Sequence, residues 1–146
     1  MFLHDPHTKD VIKRRIAALQ PSTERRWGRM TVDQMLWHVN SSLENSMGRY
    51  PVKEVQLPLP RAIVKFLILR SPMRHRNAPT AREYIAKERY DFTGEVERLG
   101  RLIDEFTARP LDAVWRNNAF MGAMTGRDWS RLQARHLDHH LSQFGV

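Results

Sequence analysis

Apolar residues recur at three- and four-residue steps along four stretches of the chain, the spacing of helices with one buried face. Over residues 8–19, Ile12, Ile16 and Leu19 share a side, and Pro21-Ser22 ends the run. Over residues 31–47, Val32, Leu36, Val39, Leu43 and Met47 form a stripe. Thr31 and Gln34 have capping-box spacing at its start, and Gly48 is its stop. Phe92, Val96, Leu99, Ile103 and Phe106 predict a third long helix over residues 81–108, loosened at Gly94 and stopped before Pro110. The last helix runs from a cap at Thr125 and Asp128 to Phe144, with Gly145 after it.

The intervening segments read differently. Residues 49–80 contain Pro51, Pro58, Pro60, Pro72 and Pro79, so an irregular excursion is predicted, with a short helix over residues 61–69. Residues 111–126 are a connection. Alternating apolar runs bounded by Asn-Gly or Asp-Gly pairs are absent, so no strand is predicted. Four long helices without strands predict an all-α four-helix bundle. The 146 residues suit a single domain, residues 1–146.

Composition narrows the function classes. Without cysteine there is no disulfide framework, no thiolate metal site and no cysteine nucleophile. The longest apolar stretch, residues 62–69, contains Lys65 and is far too short to span a bilayer. The opening MFLHDPHTKD lacks the layout of a secretory signal. The expectation is a soluble cytoplasmic protein with no transmembrane segment.

The net charge of +8 is concentrated. Arg61, Lys65, Arg70, Arg74, Arg76, Arg82, Lys87 and Arg89 face only Glu83 and Glu88 within residues 61–89. A solvated arginine-rich surface is the plainest reading. An anionic ligand, a subunit interface and a membrane surface are the others. Aromatic residues are not interleaved with these cations as a base-stacking platform would require, and no helix-turn-helix pattern is present, so nucleic acid is not the expected partner.

The residues with the most chemistry are histidines. His136, His139 and His140 lie together in RHLDHHLSQFG. On a wheel at about 100° per residue, His136 and His140 fall inside the apolar arc of Trp129, Leu132, Leu137 and Phe144, while His139 sits at its edge. Arg131, Arg135, Asp138 and Ser142 take the opposite face. Imidazoles four apart on one helix can chelate a single ion. Two buried neutral rings otherwise need backbone or water partners, because an unpaired buried polar group costs about 1–3 kcal/mol.

His38, in QMLWHVNSS, is the other histidine inside a long helix. It falls well off the Val32/Leu36/Val39/Leu43 stripe, beside Met35, Ser42 and Asn45. Periodicity therefore favours a solvent-facing ring over one facing a polar cavity. Glu88 and Glu95 fall in the apolar arc of the third helix. They are candidates for orienting an imidazole or serving as a base, or for pairing with arginines. His4, His7 and His75 read as solvated, and Trp27, Trp37, Trp115 and Trp129 as packing anchors.

The blocks WGRMTVDQMLWHVNSSLE, residues 27–44, and TGRDWSRLQARHLDHHLSQFG, residues 125–145, resemble the DinB-like superfamily. More narrowly they resemble a bacterial branch catalogued as a domain of unknown function. The resemblance implies an up-up-down-down four-helix bundle with a metal held by His38, His136 and His140. It implies zinc, nickel or a similar divalent ion, and frequent homodimers. In some branches it implies metal-dependent hydrolysis or transfer of a low-molecular-weight thiol, so a small-molecule substrate or such a thiol is the expected partner. The chain departs from the branch at Asn117-Asn118-Ala119-Phe120, where a His-Pro type of turn is expected. The other reading is a non-catalytic bundle with a structural ion or none, whose basic surface binds a partner, nucleic acid included.

Overall fold

The computed structural model describes residues 1–71 and 80–146. Among them the chain is all-helical, with α1 (Pro6–Ala17), α2 (Val32–Ser46), α3 (Arg61–Arg70), α4 (Phe92–Ala108) and α5 (Gly126–Gln143), one 3-10 turn at Arg82–Tyr84, and no strand. None of these helices is long and apolar enough to cross a membrane. The predicted residues Pro72, Arg74, His75, Arg76 and Pro79 lie outside the described residues.

The helix starts follow from local polar chemistry. Asp5 accepts the Thr8 N–H at 2.9 Å, and Pro6 occupies the first turn, where a missing N–H costs nothing. At α2, Gln34 Oε1 accepts the Thr31 N–H at 3.1 Å. At α5 the box is reciprocal: Asp128 accepts the Thr125 N–H at 2.9 Å, and Thr125 Oγ1 accepts the Asp128 N–H at 3.1 Å.

The stripes meet in one core. α2 packs on α4 and α5, α1 on α5 and α4, and α3 on α5. Ile12, Leu36, Leu43, Ile103, Phe106, Trp129, Leu137 and Leu141 are fully enclosed there. Each such side chain contributes about 1.5–3 kcal/mol through burial. Trp129 is enclosed without losing a hydrogen bond, since its indole N–H donates to the Arg116 carbonyl at 2.7 Å.

The third long helix is shorter than its predicted span. α4 begins at Phe92, because Asp91 accepts the Gly94 N–H at 2.8 Å and ends the preceding chain as an N-cap. Residues 81–90 instead form a strap over α2 that holds the 3-10 turn at Arg82–Tyr84 and no α-helix. The buried carboxylate of Asp33 accepts Arg89 Nε and Nη2, each at 2.9 Å, and the Tyr90 N–H at 2.8 Å. Gln34 Nε2 donates to the Glu88 carbonyl at 3.0 Å, Trp37 stacks on Tyr90 with ring centroids 5.1 Å apart, and the Tyr50 hydroxyl donates to the Glu83 carbonyl at 2.6 Å. A continuous helix over residues 81–91 would forfeit these ties.

Part of the basic stretch is structural. Arg61 donates to the Ala119 carbonyl at 3.1 Å, and Lys65 reaches the Ala123 carbonyl at 2.8 Å and Asp128 at 2.7 Å. Both cations fasten α3 to the connection before α5. Asn118, in the segment that departs from the resembled branch, closes a tight turn: its Oδ1 accepts the Phe120 and Met121 N–H groups at 2.9 and 3.1 Å.

Candidate metal centre

Three helical imidazoles converge between α2 and α5. His38 Nε2 lies 3.0 Å from His136 Nε2, and His140 Nε2 lies 3.1 Å from the same atom. The three ligand atoms fall within 4.8 Å of one another, a group that could hold a metal ion. Nitrogens bound to one ion at about 2.0–2.1 Å stand about 2.9–3.4 Å apart for coordination angles from about 90° to about 109°. The separations of His136 Nε2 from His38 Nε2 and from His140 Nε2 match that range.

The proton positions follow from the partners. His38 Nδ1 lies 2.9 Å from the Tyr84 carbonyl, which can only accept, so Nδ1 carries the hydrogen and Nε2 presents its lone pair inward. His140 Nδ1 faces Gln143 Oε1 at 2.9 Å, with the same consequence for its Nε2. His136 can donate one N–H to one of these lone pairs at most. A neutral triad alone therefore leaves one inward nitrogen unpaired. A divalent cation accepts all three lone pairs, and neutral imidazole suits zinc, nickel, copper or iron.

Electrostatics keeps the rings neutral. Burial pulls His38 below its ordinary value, against the opposing bond to Tyr84. His136 is held well below its ordinary value by burial, then by the neighbouring His140 and His38. His140 is pushed down to about 3, mainly by burial and next by His38, partly opposed by Gln143. Neutral imidazole is the ligating form, so no proton has to be expelled at pH 7.

His136 and His140 point inward as the helical wheel predicts, and the edge position of His139 keeps it out of the triad. The His139 ring instead meets Trp27 and His140 edge-on, with centroids 6.1 and 5.0 Å away. The solvent-facing reading of His38 is corrected: the residue is only 6 % exposed. The cause is the strap, whose Tyr84 covers the polar-looking face of α2.

Neither glutamate is hydrogen-bonded to a triad ring. Glu95 accepts from Asn40 Nδ2 at 2.8 Å and pairs with Arg98 at 3.1 Å, while Glu88 is exposed. His4 is also corrected from solvated to partly buried, with ring nitrogens 2.9 Å from Ser130 Oγ and 3.0 Å from the Arg109 carbonyl. His7 is exposed, as predicted.

Sequence reasoning missed the two groups that orient the rings. Tyr84 acts through its backbone carbonyl and leaves no side-chain signal. Gln143 did leave one, since it stands three residues after His140 on the same helix face.

A family model described as "Protein of unknown function (DUF1569)" matches residues 3–145. The chain belongs to this family. The DUF1569 match takes in all five helices and all three histidines of the triad. Comparison with curated proteins and with solved structures returns no match.

Proposed function

We propose that the chain is a divalent-metal-binding protein whose ligands are His38, His136 and His140, with zinc or nickel as the ion. The observation that carries this reading is the meeting of three Nε2 atoms, two of them with lone pairs fixed inward by Tyr84 and Gln143. The mutual packing of α1, α2, α4 and α5 supports a DinB-like, up-up-down-down four-helix bundle formed as a single domain over residues 1–146. Three protein ligands leave room for a further donor on the ion. When bound, such an ion supplies Lewis acidity toward a water or a thiol, which suits a hydrolase or a small-thiol transferase. The protein's own part is to hold three neutral imidazoles in place and keep them unprotonated at neutral pH. The partner in this reading is a small-molecule substrate or low-molecular-weight thiol, and the assembly a homodimer.

A specific observation favours a second reading, a non-catalytic bundle whose basic surface binds a partner. Arg70, Arg82 and Lys87 are exposed, and Arg70 shares α3 with the uncovered Ile63 and Phe66. Metal content of the untagged chain, beside the His136→Ala/His140→Ala double variant, separates the two. The metal reading expects about one zinc or nickel per wild-type chain and none in the variant. Wild-type protein that holds no stoichiometric metal and takes up none on titration overturns it.

A further inference from the structure

A glutamine side chain is polar at both ends, and which end faces a histidine decides where that histidine keeps its hydrogen. Gln143 is 4 % exposed. Its Nε2 donates to the Trp27 carbonyl at 2.8 Å, and a carbonyl can only accept. The amide is thereby oriented, and its Oε1 is the atom left facing His140 Nδ1 at 2.9 Å. His140 must then donate from Nδ1 and turn the Nε2 lone pair toward His136.

The reference point of this arrangement is itself fixed. The Arg26 N–H donates to the Gln143 carbonyl at 2.7 Å, so the turn before α2 is tied to the end of α5 by backbone as well as side chain. Gly28 adopts a φ of +86°, a conformation that side chains rarely take, and a methyl group there would overlap Gln143 Nε2. The turn thus approaches Gln143 as closely as a residue without a side chain allows.

We propose that Gln143 is a positioning residue that transmits the orientation of the Trp27 carbonyl to His140, locking its Nε2 as a lone-pair donor toward the triad, and that Gly28 is required for that lock. His38 receives the same instruction directly from the Tyr84 carbonyl. Two of the three rings are therefore set by backbone carbonyls, one directly and one through a relay. As a statement about metal binding, the proposal rests on the reading of the triad as a metal site. As a statement about the ring hydrogen, it does not.

The test has two arms. Nitrogen-15 correlation spectra of the histidine rings in metal-free wild-type protein near neutral pH are expected to show His140 hydrogen-bearing at Nδ1. A ring hydrogen-bearing at Nε2 overturns the proposal. In the second arm, zinc alone is titrated against a chromophoric chelator. Gln143→Leu and Gly28→Ala are expected to lose zinc affinity by about tenfold to hundredfold and to lose the Nδ1–H signature. Gln143→Glu, which keeps an acceptor beside His140, is expected to keep that signature and most of the affinity. A purely structural role would not make the ring signature follow the acceptor. Leu and Ala variants that fold and bind zinc like wild type overturn the proposal. Should wild type take up no zinc, the metal reading falls and the ring spectra alone decide: Nδ1–H upholds the relay and Nε2–H overturns it. Should the variants fail to fold, the wild-type spectra decide in the same way.

Discussion

His38 on α2 and His136 on α5 are 98 positions apart in the chain, yet their Nε2 atoms meet at 3.0 Å. Two imidazole nitrogens so close either share one hydrogen or share one cation. With His140 Nε2 at 3.1 Å from the same His136 atom, one hydrogen cannot serve all three. The proposed metal answers that shortage.

Ligand and neighbour should separate cleanly by mutation. His140→Ala removes a triad nitrogen and is expected to weaken zinc binding by more than about a hundredfold, whereas His139→Ala is expected to change it by less than about threefold. Competition against a chelator measures both. Equal losses would contradict the assignment of inward and edge positions on α5.

Stability should depend on pH in a stated direction. The triad rings are held below the ordinary 6.5, His140 down to about 3. Below pH 6.5 the unfolded chain therefore binds protons that the folded chain refuses, and stability falls as pH drops from about 6.5 toward about 3. Below about pH 4 Asp33 adds the same sign. Burial works to raise its pKa, but the bonds from Arg89 and the Tyr90 N–H prevail and hold it far below 3.8. Its contribution is present above the unfolded value and is lost on acidification. Urea midpoints of metal-free protein at pH 7.5 and pH 5 test this, and equal midpoints would contradict it.

The strap over α2 should depend on Asp33. Asp33→Ala removes the acceptor for Arg89 and for the Tyr90 N–H. Because Arg89 is largely exposed, the expected loss is moderate, about 1–3 kcal/mol by urea denaturation. Amide exchange should quicken in residues 81–90 before the core of α5. Unchanged exchange in the strap would show that other contacts hold it.

Two glycines should respond to alanine with opposite signs. Gly126 has the Leu111 carbonyl and, at 2.6 Å, Trp115 Nε1 where a methyl group would stand, so Gly126→Ala is expected to cost about 1–3 kcal/mol. Gly100 lies inside α4 with open space around it, so Gly100→Ala is expected to stabilise by about 0.5–1 kcal/mol. Thermal unfolding of the two variants checks both signs.

Much of this architecture was legible in the residues, and the misses share one cause. The stripes of α2, α4 and α5 and the Thr125–Asp128 box are local signals, and they place the helices to within a few residues except at the start of α4. His136 and His140 lie on the most apolar arc of their helix and were readable as inward. His38 was not, because periodicity assumes that the polar side of a helix meets water. On α2 that side carries Asn40, Ser41, Ser42 and Asn45, all buried. Glu95 receives the Asn40 amide, Gln133 meets Ser42, and the strap covers His38. The strap escaped because it is organised by Asp33, more than fifty residues away, rather than by its own sequence. The resemblance carried by WHVNSSLE and HLDHHLSQFG named His38 where periodicity did not.

Zinc-edge X-ray absorption on the zinc-loaded, untagged chain addresses the shared cation most directly. Three imidazoles on one ion predict nitrogen or oxygen scatterers at about 2.0–2.1 Å, with the outer-shell signal of about three rings, falling to about two in His38→Ala. A spectrum with no imidazole outer shell, or one that His38→Ala leaves unchanged, would contradict the account.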